Sequence, residues 1–302
     1  MCASKKNDHT TSLKSRMEIK VVHTAKGLVE YSIVGKGTPV LFLHGGHSNC
    51  KETLFHKGFD TNKFQLITPS RPGYGKTPLD DKYTPKKTAD LVIALLDYLK
   101  IDKVILYAIS AGGLTSIELA ASHPERIEKL ILASAVSKKW LDKNGKVYKT
   151  AKKLFNQKTE RIVWGMIRFI SGIFPKMIAN NFYSQFSKNK PHKLEESDIK
   201  ELLSTFKHFN SKSGFMSDIE HDVETGLISE IQCTTLIIHS RNDNSVPFEH
   251  AEHANRMIKE SKLVGLDNEW GHLFWIGKDA SETIEMIIEF IEQCNASTQH
   301  AI

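Results

Sequence analysis

Val104-Ile-Leu-Tyr-Ala-Ile-Ser-Ala-Gly-Gly113 is an apolar run of strand length that breaks at Ser110 into small residues and then passes into a helical pattern. A serine on so sharp a strand-to-helix turn has its Oγ pushed clear of the backbone, above a sheet, with the next amide aimed at an incoming carbonyl. Small residues are needed on both sides because strand and helix nearly touch there. The pentapeptide is Ala108-Ile109-Ser110-Ala111-Gly112, with alanine where the G-x-S-x-G pattern has its first glycine. One methyl group is the smallest intrusion such a turn can meet.

A serine among small residues occurs often by chance, so its partners decide the reading. Thr234-Thr-Leu-Ile-Ile-His239 reads as a second buried strand and runs into Ser240-Arg-Asn-Asp-Asn-Ser-Val-Pro247, which places Asp243 in a loop just past a strand end. Lys262-Leu-Val-Gly265 reads as a third strand, followed by Trp270-Gly-His272 and then a long amphipathic segment. Alone, each residue has a plain reading: a turn serine, an Asx-turn aspartate, a core histidine. Together, in the order Ser110, Asp243, His272 and each after a strand, they are consistent at every level as nucleophile, orienting acid and general base. The other acid in reach of a strand end is Asp142, well beyond Lys129-Leu-Ile-Leu-Ala133, and Asp243 is preferred.

Upstream, Pro39-Val-Leu-Phe-Leu-His-Gly-Gly-His47 reads as a strand that ends in glycines, where the backbone can turn sharply and bring an N–H close to a substrate. The Gly46 and Ala111 amides are therefore the expected donors to an oxyanion, each worth about 3 kcal/mol of barrier. His44 is expected to brace this loop rather than to act as a base.

These segments resemble the α/β-hydrolase superfamily. The resemblance rests on His44-Gly45-Gly46, Arg71-Pro-Gly-Tyr-Gly75, Ala108 to Gly113, His123-Pro-Glu-Arg126, Asp243 with Val246-Pro247, and Gly271-His272. It spans residues of about 40 to 275, with nothing diagnostic between roughly 137 and 225. Departures are Ala108 for glycine and His47 where proline often follows the oxyanion glycine. The chain order of the three polar residues is that of this superfamily, not of chymotrypsin or subtilisin. A serine nucleophile sets the chain apart from the related haloalkane dehalogenases and epoxide hydrolases.

The resemblance implies an α/β fold with a mostly parallel sheet flanked by helices, and the residue pattern independently agrees. Glu18 to Val34 reads as a strand pair turning near Lys26-Gly27. Strands are expected at 39–43, 65–69, 103–108, 129–134, 234–239 and 262–265, alternating with helices after Thr84-Pro85, after Ser110, near 248–259 and near 281–294. The expected organisation is a loose tail over 1–16, a core over 17–136 and 226–302, and a helical cap insertion over 137–225. At 302 residues with 40 % hydrophobic content, the chain can bury one large core or a core with a subdomain. The four cysteines, Cys2, Cys50, Cys233 and Cys294, are scattered without a C-x-x-C pair, so reduced thiols and no metal site are expected. No secretory signal pattern and no run of about 18 apolar residues is present, and a cytoplasmic location is expected.

Within the insertion, Val163, Met166, Ile167, Ile170, Phe174 and Met177 recur at steps of three and four, with Arg161, Gly165, Arg168 and Gly172 on the other face. This predicts an amphipathic cap helix whose apolar face walls a substrate pocket, with Ile167 and Phe174 as pocket residues. A second reading is a helix lying on a membrane surface. Between Lys138 and Lys200 there are 15 Lys plus Arg against 5 Asp plus Glu, leaving 26 against 30 in the rest of the chain. Such runs are usually solvated faces; the functional alternative is attraction of an anionic substrate or lipid headgroup. Nucleic acid is not an expected partner, because no binding module accompanies the charge.

The expected activity is cleavage of a small or medium carboxylic ester through an acyl-enzyme, without a cofactor. The alternatives are an aminopeptidase of the proline iminopeptidase type, a monoacylglycerol lipase, a cofactor-free perhydrolase, and a ligand-sensing module with an unused triad.

Overall fold

The computed structural model describes residues 16–80, 83–156, 158–190 and 193–293. Cys2, Cys294 and the expected tail, apart from Arg16, lie outside them. Eight described strands build one sheet: β1 (Glu18–Thr24), β2 (Gly27–Gly35), β3 (Thr38–Leu43), β4 (Phe64–Pro69), β5 (Val104–Ile109), β6 (Ile127–Ala133), β7 (Thr234–Ser240) and β8 (Ser261–Leu266). Their order is β1-β2-β4-β3-β5-β6-β7-β8; β1 and β2 pair antiparallel, β2 joins β4 antiparallel, and every later pairing is parallel.

All six residues of β5 are buried, as expected of a central parallel strand covered on both faces. The pleat sorts them by parity. Val40, Phe42, Ile105 and Tyr107 face one layer, which includes Ile284, Ile287 and Ile291 of α9 (Ala280–Glu292). Leu41, Leu43, Leu106 and Ala108 face the other, against α1 (Pro85–Leu99), α2 (Gly113–Ser122) and α8 (Glu249–Met257). The α1 terminus follows its sequence signal: Thr84 Oγ1 accepts the Lys87 N–H at 3.2 Å, and Pro85 occupies the first turn. At the far end of α9, the buried Lys129 of β6 donates to the carbonyls of Phe290, Ile291 and Gln293.

Between β6 and β7 run α3 (Lys146–Leu154), α4 (Glu160–Ile173), α5 (Pro175–Phe186), α6 (Glu196–Phe206) and α7 (Gly214–Glu220). Trp164, Tyr183, Leu202 and Phe206 of this insertion belong to the same apolar cluster as α9 and its sheet face. The helix expected here from spacing forms as α4, and Ile167 and Ile170 of the expected face pack against the main cluster, but the helix is rotated so that Trp164 leads. Trp164 is buried and Arg168 half-buried, whereas Met166, Phe174 and Met177 are exposed. The segment is apolar nearly all round, so spacing alone fits two rotations. The indole has the largest apolar area to bury, and the Arg168 guanidinium finds the Phe206 and Phe209 carbonyls at 3.3 and 2.9 Å.

No helix among the described residues is long and apolar enough to cross a membrane.

Candidate active site

The loops after β3, β5, β7 and β8 meet at one edge of the sheet. Ser110 follows β5 directly and holds φ 51°, a left-handed conformation that L-residues other than Asn, Asp and His seldom adopt. The turn is tight enough that a Cβ on Gly112 would sit 2.3 Å from the Leu43 carbonyl oxygen, which only glycine avoids. Ala108, two residues before Ser110, tolerates its methyl because that side chain points into the layer of Leu43 and Leu132.

Asp243 is fully buried in the loop after β7. Its Oδ1 accepts the Ser245 and Val246 amides at 2.8 Å each, and its Oδ2 lies 2.7 Å from His272 Nδ1. A carboxylate only accepts, so Nδ1 carries the proton and the Nε2 of a neutral His272 is left as the basic nitrogen. Burial opposes the charge on Asp243, but His272 and His239 outweigh it and hold the carboxyl well below the usual carboxylate range. His239 is a partner the sequence reading missed. Its Nε2 lies 3.1 Å from Asp243 Oδ2 and 2.9 Å from the Val246 carbonyl, both acceptors, so it too donates from that nitrogen. Its position at the end of β7, four residues before Asp243, was the available signal.

Ser110 Oγ makes no hydrogen bond among the described residues, so the structure joins acid to imidazole without bonding the serine to either. Serine–histidine contacts of this kind are commonly loose without substrate. Asp142 lies exposed in a turn, its Oδ1 accepting the Asn144 N–H at 3.0 Å, and reaches none of these residues.

Gly46 lies next to Ala111: a Cβ on it would be 4.0 Å from the Ala111 Cβ, and 2.9 Å from Phe215 of α7. The loop is braced as its residues predict. His44 Nδ1 donates to the Gly45 carbonyl at 2.8 Å and its Nε2 accepts the Arg71 N–H at 3.0 Å, so neither ring nitrogen is free for chemistry. Burial and the Arg71 charge hold the ring neutral, far below its ordinary range. Arg71 also ties this loop to the insertion. Its Nε donates to the His44 carbonyl at 2.9 Å and its guanidinium forks onto Asp218 of α7, which Tyr74 also bonds.

His47 holds φ 62° in place of the proline often found there. Its ring packs against Phe155, Trp164 and Phe215, and burial pushes it down to about 3. Glu160 accepts both the amide and the hydroxyl of Ser211, and His47 Nδ1 lies 3.0 Å from that hydroxyl. Phe186 of α5 stacks 6.0 Å over His272 at an interplanar angle of 12°. Ile167 is partly buried against the main apolar cluster, whereas Phe174, the other expected pocket residue, is 56 % exposed just past the end of α4. Among the described residues no group of three or more His, Cys, Asp or Glu side chains is arranged to hold a metal ion.

The profile of the alpha/beta hydrolase fold matches residues 38–279. The chain belongs to the alpha/beta hydrolase fold family. It is 36 % identical to the uncharacterised hydrolase YcgS of Bacillus subtilis (strain 168) over 272 residues, 88 % of this chain and 95 % of that protein. Among solved structures, an alpha/beta hydrolase fold protein from Nakamurella multipartita superposes with a TM-score of 0.71 at 25 % identity, covering 90 % of this chain and 98 % of the other. A thermophilic esterase from Thermogutta terrifontis does so with a TM-score of 0.67 at 20 % identity, covering 91 % and 98 %. For an alpha/beta hydrolase the parallel strands β3 to β8 are the frame, and the loops at one edge are where its members differ. Hydrolase activity is supported at this level.

Proposed function

We propose that this alpha/beta hydrolase is a serine hydrolase that cleaves carboxylic esters through an acyl-enzyme. The observation that carries the reading is the pairing of a strained turn at Ser110 with the buried Asp243–His272 bond at the same sheet edge. In this reading His272 Nε2 takes the Ser110 proton as Oγ attacks the ester carbonyl. The Gly46 and Ala111 amides receive the oxyanion, and His272 returns the proton to the leaving alcohol. Water, deprotonated by the same nitrogen, then attacks the acyl carbon and releases Ser110. Asp243 keeps the imidazole in the tautomer that both steps need.

A fluorophosphonate probe tests the nucleophile, because only an activated Oγ reacts readily with it. Labelling at Ser110 is expected, with Ser110→Ala removing both label and turnover while the fold persists. Full activity in that variant would overturn the assignment. Chromogenic esters of graded chain length, run beside amino-acid arylamides, test the substrate class. Turnover of arylamides with a free amino terminus in preference to esters would make the protein an aminopeptidase instead, and turnover of neither would favour a binding module.

A further inference from the structure

Helix α4 is apolar on two opposite faces. One carries Trp164, which is 2 % exposed and meets Phe182, Phe206 and Phe209 inside the insertion. At about 100° per residue, Ile162, Met166, Phe169 and Ile173 all point within about 40° of the opposite direction. Each is more than half exposed, from 53 % at Met166 to 70 % at Phe169. Phe174, just past the end of α4, and Met177 of α5 are exposed as well. Beside it, Gly165 and Gly172 would meet nothing within 4 Å if they carried a Cβ, so no described part of the chain covers this side. Single exposed apolar residues are ordinary, but a contiguous strip over three helical turns marks a surface that is covered in use.

The charge beside the strip says what covers it. Asn156 Nδ2 bonds the Lys152 and Lys153 carbonyls, and Thr159 Oγ1 bonds those of Lys153 and Leu154, so the last turn of α3 is tied to the start of α4. Lys152, Lys153, Lys158 and Arg161 are thereby held on the backbone close to the N-terminal end of α4. Among the described residues, no basic side chain from Lys138 to Arg161 is paired with a carboxylate. The same strip on a second copy carries the same charge and offers it no carboxylate, whereas an anionic surface neutralises it.

We propose that α4 docks lengthwise on an anionic lipid surface, with Ile162, Met166, Phe169 and Ile173 in the headgroup–acyl boundary and the four basic side chains against lipid headgroups. At roughly 21 Å for its 14 residues the helix lies on a bilayer rather than spanning it. The inward face of the same helix packs Trp164 against His47, 5.1 Å away in the loop that carries Gly46, so docking would act on an element resting on the candidate site.

The test is co-sedimentation of the full chain with vesicles of phosphatidylcholine alone or mixed with phosphatidylserine. Binding to the mixed vesicles alone is expected, weakened by added salt through screening. Lys158→Gln with Arg161→Gln should lower the affinity about thirtyfold, from the usual contribution of two basic side chains near a charged bilayer. Phe169→Ser with Ile173→Ser should abolish binding while circular dichroism stays unchanged, since both side chains touch little of the protein. No binding, equal binding to both vesicles, or binding indifferent to Phe169→Ser with Ile173→Ser would overturn the proposal. So would a concentration-dependent dimer that this last variant dissolves, which would give the strip to a second copy. No substrate enters the measurement, so its failure leaves the reading of Ser110 untouched.

Discussion

Asp243 reaches His272 through Oδ2, 2.7 Å from Nδ1, while its other oxygen is fixed by the Ser245 and Val246 amides at 2.8 Å each. The backbone of the β7 loop thus sets the carboxylate plane before the imidazole arrives, and the imidazole inherits its orientation from the loop. Residues 186–188 at the end of α5 clasp the same loop, with Lys188 N–H donating to Asn242 and Asn244 N–H to Phe186.

Asp243→Asn preserves Oδ1 as an acceptor for the two amides, so the loop is expected to keep its shape. Its Oδ2 position becomes an amide that cannot accept the His272 Nδ1 proton, which favours the wrong tautomer. Turnover of an ester should fall about ten-thousand-fold, and thermal stability should fall modestly because the new amide also faces the buried His239 Nε2–H. Asp142→Asn, in an exposed turn, should change neither. The reverse pattern would show that the acid lies in the other loop.

Gly112→Ala should destabilise the fold by about 3 kcal/mol, because the new methyl meets the backbone oxygens of Leu43 and His44, which have no room to move. Ala108→Gly should cost less, about 1 to 2 kcal/mol, the entropy of a glycine in a strand plus one lost buried methyl. Denaturant unfolding separates the two. Equal effects would mean that the turn is looser than the 2.3 Å approach at Gly112 implies.

Arg71 bonds both the Gly45 loop and α7. Arg71→Ala strands the largely buried Asp218 carboxylate and frees the His44 carbonyl, at a cost of about 3 to 5 kcal/mol. Arg71→Lys should recover only part of this, since a single ammonium cannot reproduce the planar fork. Amide exchange should quicken in α7 before it does in β5. Uniform quickening throughout would place Arg71 in global stability rather than in fastening the insertion.

The parts of this architecture that were legible in the sequence are those where a backbone rule leaves one solution. The strand at 104–109, the turn at Ser110 and the proline-led start of α1 follow from parity, close approach and capping. Asp243 and His272 were legible because loops that end neighbouring strands must lie at one edge. What was not legible depends on contacts between segments far apart in the chain. Nothing local joins Arg71 to Asp218 or His47 to Ser211. In α4, spacing allowed either face to turn inward, and the choice was made by Trp164 and by the carbonyls that Arg168 reaches at the end of α6.

Several histidines are held neutral by burial, and this sets an acid limit on the fold. His56 and His250 are pushed down to about 4, and His47 to about 3. In the unfolded chain each titrates near about 6.5, so below that pH the unfolded state binds protons that the folded state refuses. Their contribution is therefore complete above about 6.5 and is lost progressively as the pH falls toward about 4. Asp243, also held low, stays ionised in the fold and adds slope only toward about pH 4, where the unfolded carboxylate begins to protonate. The melting temperature should decline steadily over this range, and His56→Gln, which can still bond Thr68, should reduce the slope by about one proton. A flat profile between about pH 7 and 4.5 would contradict the burial of these rings.

The inward face of α4 also decides which side chains can read a substrate. Ile167 lies on the Trp164 side, packed against the cluster that includes Trp164 and Phe206, whereas Phe174 projects from the end of α4 and is 56 % exposed. Ile167→Ala removes apolar volume from the layer between the insertion and the sheet edge, and the loss in kcat/KM should grow with acyl length once the chain reaches that depth. Phe174→Ala removes contacts from the outer strip alone, so the ranking of ester chain lengths should be that of the unaltered protein. A series of p-nitrophenyl esters measures both. If Phe174→Ala reorders the series and Ile167→Ala does not, the acyl chain runs along the outside of the insertion, and the assignment of the two faces of α4 would have to be exchanged.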